Sequence, residues 1–411
     1  MNLKIIKDTY LFLFLMVFLF TSCGAQDKNN IQENHASEMK PTQSKKAQNA
    51  LVLAVEKTSE YLSLLKNKKI GVVTNQTGMI QNQHMVDFLL SKDLHITTIF
   101  SPEHGFRGKA DAGEIVQNGK DLKTGLPIIS LYGKNKKPTP SQIADIDILL
   151  FDIQDVGVRF YTYISTLHYI MEAAAEQDKK VILLDRPNPN AHYIDGPILE
   201  KENKSFIGMH PVPIVYGMTI GEYALMINGE KWLKKGIRAD LTVIKMNHYT
   251  HQTLYDLPVK PSPNLPNAQS IMLYPSLCFF EGTTVSVGRG TNYPFQVYGA
   301  PYLKSDFQFT PKPNEGAKHP KNQGKINYGE DLRNHPKLTR LNLSWLIQAR
   351  EQNRPLPHAF WLKNDFINLL AGTKKLKQQI DQGVSEKEIR ASWKPGLEHF
   401  KKIRAKYLLY P

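Results

Sequence analysis

The sequence predicts an α/β protein: a Rossmann-like domain on a parallel sheet, followed by a smaller α+β C-terminal domain. Three observations carry this. From about residue 50, short β-branched runs alternate with longer segments of helical period. The runs are near-continuous apolar stretches, the pattern of strands buried on both faces of a parallel sheet. The texture then changes at "LPVKPSPNLPN" (257–267), whose prolines mark a boundary.

Taken in order, "KIGVVTNQTG" (69–78) reads as a strand running into a turn, "HMVDFLLSK" (84–92) as a short helix and "HITTIF" (95–100) as a second strand. Three more strands follow in "PIISLYG" (127–133), "IDILLFDIQD" (146–155) and "KKVILLDRPNPN" (179–190). Between the last two, residues 163–180 have helical spacing, with Leu167, Ile170, Met171 and Ala174 on one side. Thr219 and Glu222 form a capping box ahead of a helix over 220–233. The first domain is expected over 50–257 and the second over 258–411. The second holds a glycine-rich segment (280–301), a polar insertion (311–337) and a helical tail opened by a Ser385/Glu388 capping box.

The N-terminus has a different character. Lys4 and Lys7 precede the apolar run "LFLFLMVFLF" (11–20), too short to span a bilayer and of signal-peptide length. With "TSCG" after it, the segment resembles a bacterial lipoprotein signal, although Phe20 stands where such signals usually carry Leu. Residues 1–22 are then the signal peptide, Cys23 the lipidated N-terminus, and the polar stretch up to residue 49 a disordered tether. The expectation is an exported, membrane-anchored lipoprotein of the periplasm or outer membrane. Of the two cysteines, Cys278 is left unpaired, so no disulfide framework is expected.

The formal charge is +14. Export and the lack of a recognised nucleic-acid motif argue against nucleic acid as a partner. An anionic wall polymer or membrane surface fits better, and part of the charge, as in "KKLKQQ" (374–379), reads as a solvated face.

Parallel sheets bind ligands outside the carboxyl ends of their strands. The segments placed there are "TNQTG" with Asn75, "SPEHGFRG" with Glu103, His104 and Arg107, "DIQDVGVRF" and "DRPNPN". Against an apolar wall Glu103 can serve as a general acid; alternatively it pairs with Arg107 and orders its loop. Asp152 and Gln154 alternate with Phe151 and Ile153, which directs both toward the crevice. Asp155 and Tyr161 accompany them. Arg159 either binds a substrate carboxylate in a fork or pairs with Asp155. Asp185 and Arg186 fit a ligand role or a strand-ending turn. Glu281, Ser286 and Arg289 are second-domain groups for the same cleft. There is no G-x-G-x-x-G, P-loop, metal-spaced histidine cluster or G-x-S-x-G elbow, so no nucleotide cofactor or metal is expected. Glu103 with an aspartate partner meets the minimum for glycoside hydrolysis.

Five separated motifs, "SPEHGFRG", "FDIQDVGVRFYTY", "LDRPNPN", "PSPNLP" and "FEGTTVSVGRGT", make the chain resemble the NamZ-type exo-β-N-acetylmuramidases from about residue 50 to "RAKYLLYP". The resemblance implies a cleft between the two domains and no cofactor. It implies hydrolytic release of N-acetylmuramic acid from non-reducing ends of peptidoglycan-derived muropeptides or saccharides. Glu103 becomes the leading catalytic residue, beside His104 and with Asp152, Asp155 or Glu281 as second group. Selecting the lactyl carboxylate calls for a cation, and Arg107, Arg159, Arg186 and Arg289 are the claimants. The alternatives are a peptidoglycan-binding lipoprotein without catalysis, or a wall esterase or deacetylase, which lacks a nucleophile elbow and a metal signature.

Overall fold

The computed structural model describes residues 50–103, 105–106, 118–357 and 359–411. In chain order its first strands are β1 (Ile70–Thr74), the hairpin β2 (Met79–Ile80) and β3 (Gln83–His84), β4 (Ile96–Ser101), β5 (Gly119–Lys120) and β6 (Pro127–Ser130). There follow β7 (Ile148–Asp152), β8 (Lys180–Leu184) and β9 (Asp240–Ile244). Apart from the hairpin these make one seven-stranded sheet in the order β5-β6-β4-β1-β7-β8-β9, parallel throughout except for β5 against β6. Counting the parallel strands alone, the order is third, second, first, fourth, fifth, sixth: a doubly wound sheet that reverses between β1 and β7. The five strands expected from the sequence are all present, and β9 extends the sheet beyond them.

The strands sort their side chains by the period of two. Ile70, Val72, Ile148, Leu150, Ile182 and Leu184 enter one core with helices α1 (Thr58–Leu65) and α2 (Met85–Leu90). Val73, Leu149, Phe151, Val181 and Leu183 enter a second, larger core. That core also takes in Ile143 of α3 (Pro140–Ile143), helices α4 (Tyr163–Glu176) and α5 (Ile220–Gly229), and the C-terminal domain. Helices α4 and α5 stop four residues short of the expected ends, because Asp178 and Lys231 turn left-handed with φ 51° and 55°. Helix α4 was expected to bury one stripe; instead eleven of its fourteen residues are buried, because α5 and first-domain segments also pack on it, with Ser165 bonded to the Phe206 carbonyl, His168 to His210, and Glu172 to Lys137 and the Lys234 N–H.

That domain, the α+β unit expected, begins with α6 (Ala268–Leu277). It contains an antiparallel sheet in the order β10 (Val297–Ala300), β12 (Asn327–Asp331), β11 (Phe307–Phe309). Four helices follow, α7 (Ser344–Asn353), α8 (Phe366–Ala371), α9 (Lys375–Asp381) and α10 (Glu386–Arg404). Both expected capping boxes are formed. Thr219 and Glu222 exchange bonds of 2.9 and 3.2 Å, and Ser385 and Glu388 bonds of 3.2 and 3.3 Å.

Candidate active site

β4 ends at Ser101, and the next residues turn at once. The Gly105 N–H donates to the Pro102 carbonyl at 3.1 Å, placing Glu103 second in a tight turn. Gly105 has φ 75°, which disfavours any side chain there. Phe106 then returns to the core, edge-on to His84 at 4.8 Å. Glu103 is therefore carried on a turn fixed at both ends. Thr162 Oγ1 donates to its Oε2 at 3.0 Å. The Tyr132 hydroxyl bonds to the same carboxyl, and burial together with Glu103 pushes that phenol above its ordinary value.

Glu103 lines a cavity of about 250 Å³, near the lower edge of the roughly 300–1,000 Å³ range of small-molecule sites. Tyr132, Tyr161 and Thr162 come to it from strand-end segments, and Asn264, Tyr274, Glu281, Arg289 and Phe295 from the C-terminal part. The proline-rich loop is fixed against the strand ends at two successive carbonyls, Lys260 O and Pro261 O, each of which accepts from Gln76 Nε2 at 3.2 Å. Pro261 O accepts from the Tyr161 hydroxyl at 2.8 Å and the Tyr163 hydroxyl at 3.2 Å. Tyr274 stands edge-on to Tyr161 at 5.9 Å and to Phe295 at 5.0 Å. The wall is thus rich in aromatic rings, and among the described residues its charged side chains are Glu103, Glu281 and Arg289.

Arg289 Nε donates to Glu281 Oε1 at 3.1 Å, and its guanidinium lies over the Phe295 ring at 4.9 Å. Burial raises the Glu281 carboxyl, but Arg289 and Lys321 outweigh it and leave the group below the usual carboxylate range. Cys278, which also lines the cavity, is a free thiol. Burial, reinforced by Glu281, pushes its pKa up, which removes the thiolate a nucleophile needs.

Of the expected site residues, the cavity gathers Glu103, Tyr161, Glu281 and Arg289. Asn75 supports it from behind: its Nδ2 donates to the Tyr163 hydroxyl at 2.8 Å. The others are placed elsewhere. Asp152 was expected to face the crevice but is fully buried in a fork with Arg186, at 2.6 Å to Nε and 2.9 Å to Nη2. Arg186 also reaches the Met79 carbonyl at 3.0 Å, tying the small hairpin to the sheet. Gln154 donates to the Pro187 and Asp155 carbonyls. Asp155 accepts from the Gly157 N–H at 2.7 Å and from the Tyr216 hydroxyl. Asp185 accepts from Gly221 N–H, Thr219 Oγ1 and the Tyr410 hydroxyl, so it anchors the start of α5. Among the described residues Arg159 pairs with no carboxylate. It is 0% exposed, and its Nη groups donate to the carbonyls of Pro197, Val212, Leu370 and Ala371 at 2.7–3.1 Å. These residues follow strands as expected, but the segments packed over the strand ends, chiefly within residues 186–221, take up their hydrogen-bonding groups, as buried polar groups require. His104, Arg107 and Cys23 lie outside the described residues.

Tyr132, Thr162, Asn264 and Tyr274 were not singled out from sequence. Tyr132 had a readable signal, since it follows β6 directly in "PIISLYG" and so sits at a strand's carboxyl end like the others.

Family models for exo-β-N-acetylmuramidase NamZ match the chain along most of its length, the N-terminal model over residues 70–269 and the C-terminal model over 272–410. The peptidoglycan β-N-acetylmuramidase NamZ of Bacillus subtilis (strain 168) is 41% identical over 380 residues, which span 85% of this chain and 89% of that protein. Two solved structures of DUF1343 family proteins from Bacteroides fragilis NCTC 9343 share the fold. One has TM-score 0.81 at 47% identity, the other 0.76 at 28%, and each match covers 88% of this chain and 99% of the other. The chain belongs to the NamZ exo-β-N-acetylmuramidase family.

Proposed function

We propose that the protein is a glycosidase that releases N-acetylmuramic acid from the non-reducing ends of peptidoglycan fragments. The observation that carries this reading is the pair of carboxyl side chains, Glu103 and Glu281, on one small aromatic cavity. Hydrolysis of a glycoside needs a proton for the leaving oxygen and a second carboxylate to activate water or attack the anomeric carbon. Glu103, oriented by Thr162 and Tyr132, supplies the proton. Glu281, kept ionised by Arg289 and Lys321, is the second carboxylate. Of the three second groups left open by the sequence, Asp152 and Asp155 bond elsewhere, which favours Glu281. The aromatic wall suits the apolar faces of a pyranose ring, and the cavity's size suits one terminal sugar.

Glu103→Gln keeps the shape and removes the proton. On para-nitrophenyl N-acetylmuramide it should lower kcat on the order of 10²- to 10⁴-fold with an unchanged unfolding midpoint. Activity within a few-fold of wild type removes Glu103 from the mechanism. Tight muropeptide binding by wild type without any product would instead favour the non-catalytic alternative.

The same reading includes an exported enzyme held at a membrane through a lipid on Cys23, supported by the signal-like residues 1–22. Metabolic labelling with a palmitate analogue tests this. Label should enter the wild-type chain and be lost in Cys23→Ser; equal labelling of both would sink the assignment.

A further inference from the structure

The active-site cavity is not the only one that Glu281 and Arg289 line. A second cavity of about 270 Å³ shares them as a wall and adds Ser286, Ala317, His319 and Lys321. We propose that this shared wall, Arg289 with Lys321 behind it, receives the carboxylate of the substrate's 3-O-lactyl group. The assignment rests on the muramidase reading above and gives that reading its selectivity.

Three features of the wall support it. The first is charge: two cations and one carboxylate meet there, so with Glu281 ionised the wall carries one positive charge in excess, and an incoming carboxylate restores balance. The second is donor geometry. Arg289 uses Nε for Glu281, and among the described residues no hydrogen bond engages its two Nη groups. Lys321 Nζ donates to the carbonyls of Phe280 at 2.9 Å and Thr283 at 2.6 Å, so one of its three N–H groups remains for a ligand. The third is rigidity. The Phe295 ring under the guanidinium and the two carbonyls around the ammonium hold both cations in place before substrate arrives.

Of the three competing arginines, Arg107 lies outside the described residues and the other two are otherwise engaged. Arg159 serves four carbonyls in the core, and Arg186 is locked to Asp152 and Met79. A sugar with a bare hydroxyl at C3, such as N-acetylglucosamine, would leave the wall's donors desolvated without an acceptor, which is how a polar site rejects the analogue that lacks its partner group.

The test uses two para-nitrophenyl probes, the N-acetylmuramide with a free lactyl carboxylate and its neutral lactyl methylamide. Wild type should prefer the acid roughly ten- to a hundredfold in kcat/KM, the range expected for hydrogen bonds to a charged group. In Arg289→Met the acid-to-amide ratio should fall toward one, mostly through KM of the acid. Loss of Glu281's support alone would lower both probes by the same factor and leave the ratio standing, and that result overturns the proposal. Should Arg289→Met fail to fold, Arg289→Lys and Lys321→Gln read the same ratio: a partial fall supports the assignment, and an unchanged ratio in both overturns it. A wild type that turns over both probes equally overturns it too, with the glycosidase reading intact. A wild type that turns over neither sinks the reading itself.

Discussion

At the scale of single residues, buried carboxyl groups divide by what surrounds them. Asp152 has a guanidinium in a fork, whereas Asp155 has only a hydroxyl and a backbone N–H, and its Oδ1 meets no partner among the described residues. Burial therefore pushes Asp155 up to about 6, against the pull of Tyr216 and Gly157. An unfolded aspartate titrates near 3.9, so between about pH 4 and 6 the folded chain holds a proton that the unfolded chain has lost. The stability this contributes is whole below about pH 4 and is lost as pH rises through about 6. Asp155→Asn keeps an acceptor for Gly157 and Tyr216 but cannot titrate. Between pH 4 and 7.5 the wild type should lose on the order of 2 to 3 kcal/mol more than the variant, read from urea unfolding at both pH values. Parallel losses would refute it. The contrast between these aspartates was not legible in the sequence, where both follow one strand in "FDIQDVG". Glu103 was legible, because strand-ending proline and the turn glycine flank it in the chain itself. Its partners Thr162 and Tyr132 come from 59 and 29 positions away, beyond the reach of local pattern.

At the scale of elements, strands with continuous apolar runs were legible and the rest were not. β1 and β7 are buried along their whole length, and a run such as "ILLF" announces that. β9 is half-buried for most of its length, so "DLTVI" shows neither a continuous nor a cleanly alternating pattern. β12 lies inside the stretch expected to be a polar insertion. Its sequence "NYGED" has little strand preference of its own, and it is held by pairing to β10 on one side and β11 on the other. Gly329 makes that approach possible, since a Cβ there would fall 1.8 Å from the Tyr298 carbonyl oxygen. Helix starts were read correctly because a capping box is local; the ends of α4 and α5 were read too far because a left-handed Asp or Lys leaves no glycine in the sequence to mark it.

At the scale of the whole molecule, Arg159 joins the two parts of the chain. It takes carbonyls from 197 and 212 with one Nη and from 370 and 371, at the end of α8, with the other. Burial pushes its pKa down to about 9, so it remains charged at neutral pH, held by dipoles instead of a counter-ion. Arg159→Met should cost on the order of 3 to 5 kcal/mol, because four buried carbonyls lose their donors. The urea midpoint measures this, and a change under about 1 kcal/mol would contradict the role. The sequence offers a substrate-carboxylate fork or a pair with Asp155 for this arginine, and neither forms among the described residues, since a strand-end motif does not show that residues 370 and 371 will reach it.

The C-terminal segment closes the structure in a comparable way. The Tyr410 hydroxyl reaches Asp185, 225 positions earlier, and the backbone N–H groups of Leu409 and Tyr410 reach Glu222. During synthesis at about 5–20 residues per second, Tyr410 leaves the ribosome roughly 10–45 s after Asp185. For that interval the end of β8 and the start of α5 hold two carboxyl groups that have local partners, such as Thr219 and Gly221, but lack the ones the C-terminus brings. The sheet can begin to assemble as its strands emerge, but it cannot settle, and a chain stalled short of residue 409 would present an unfinished edge to chaperones and proteases. Completion of the fold therefore waits on translation.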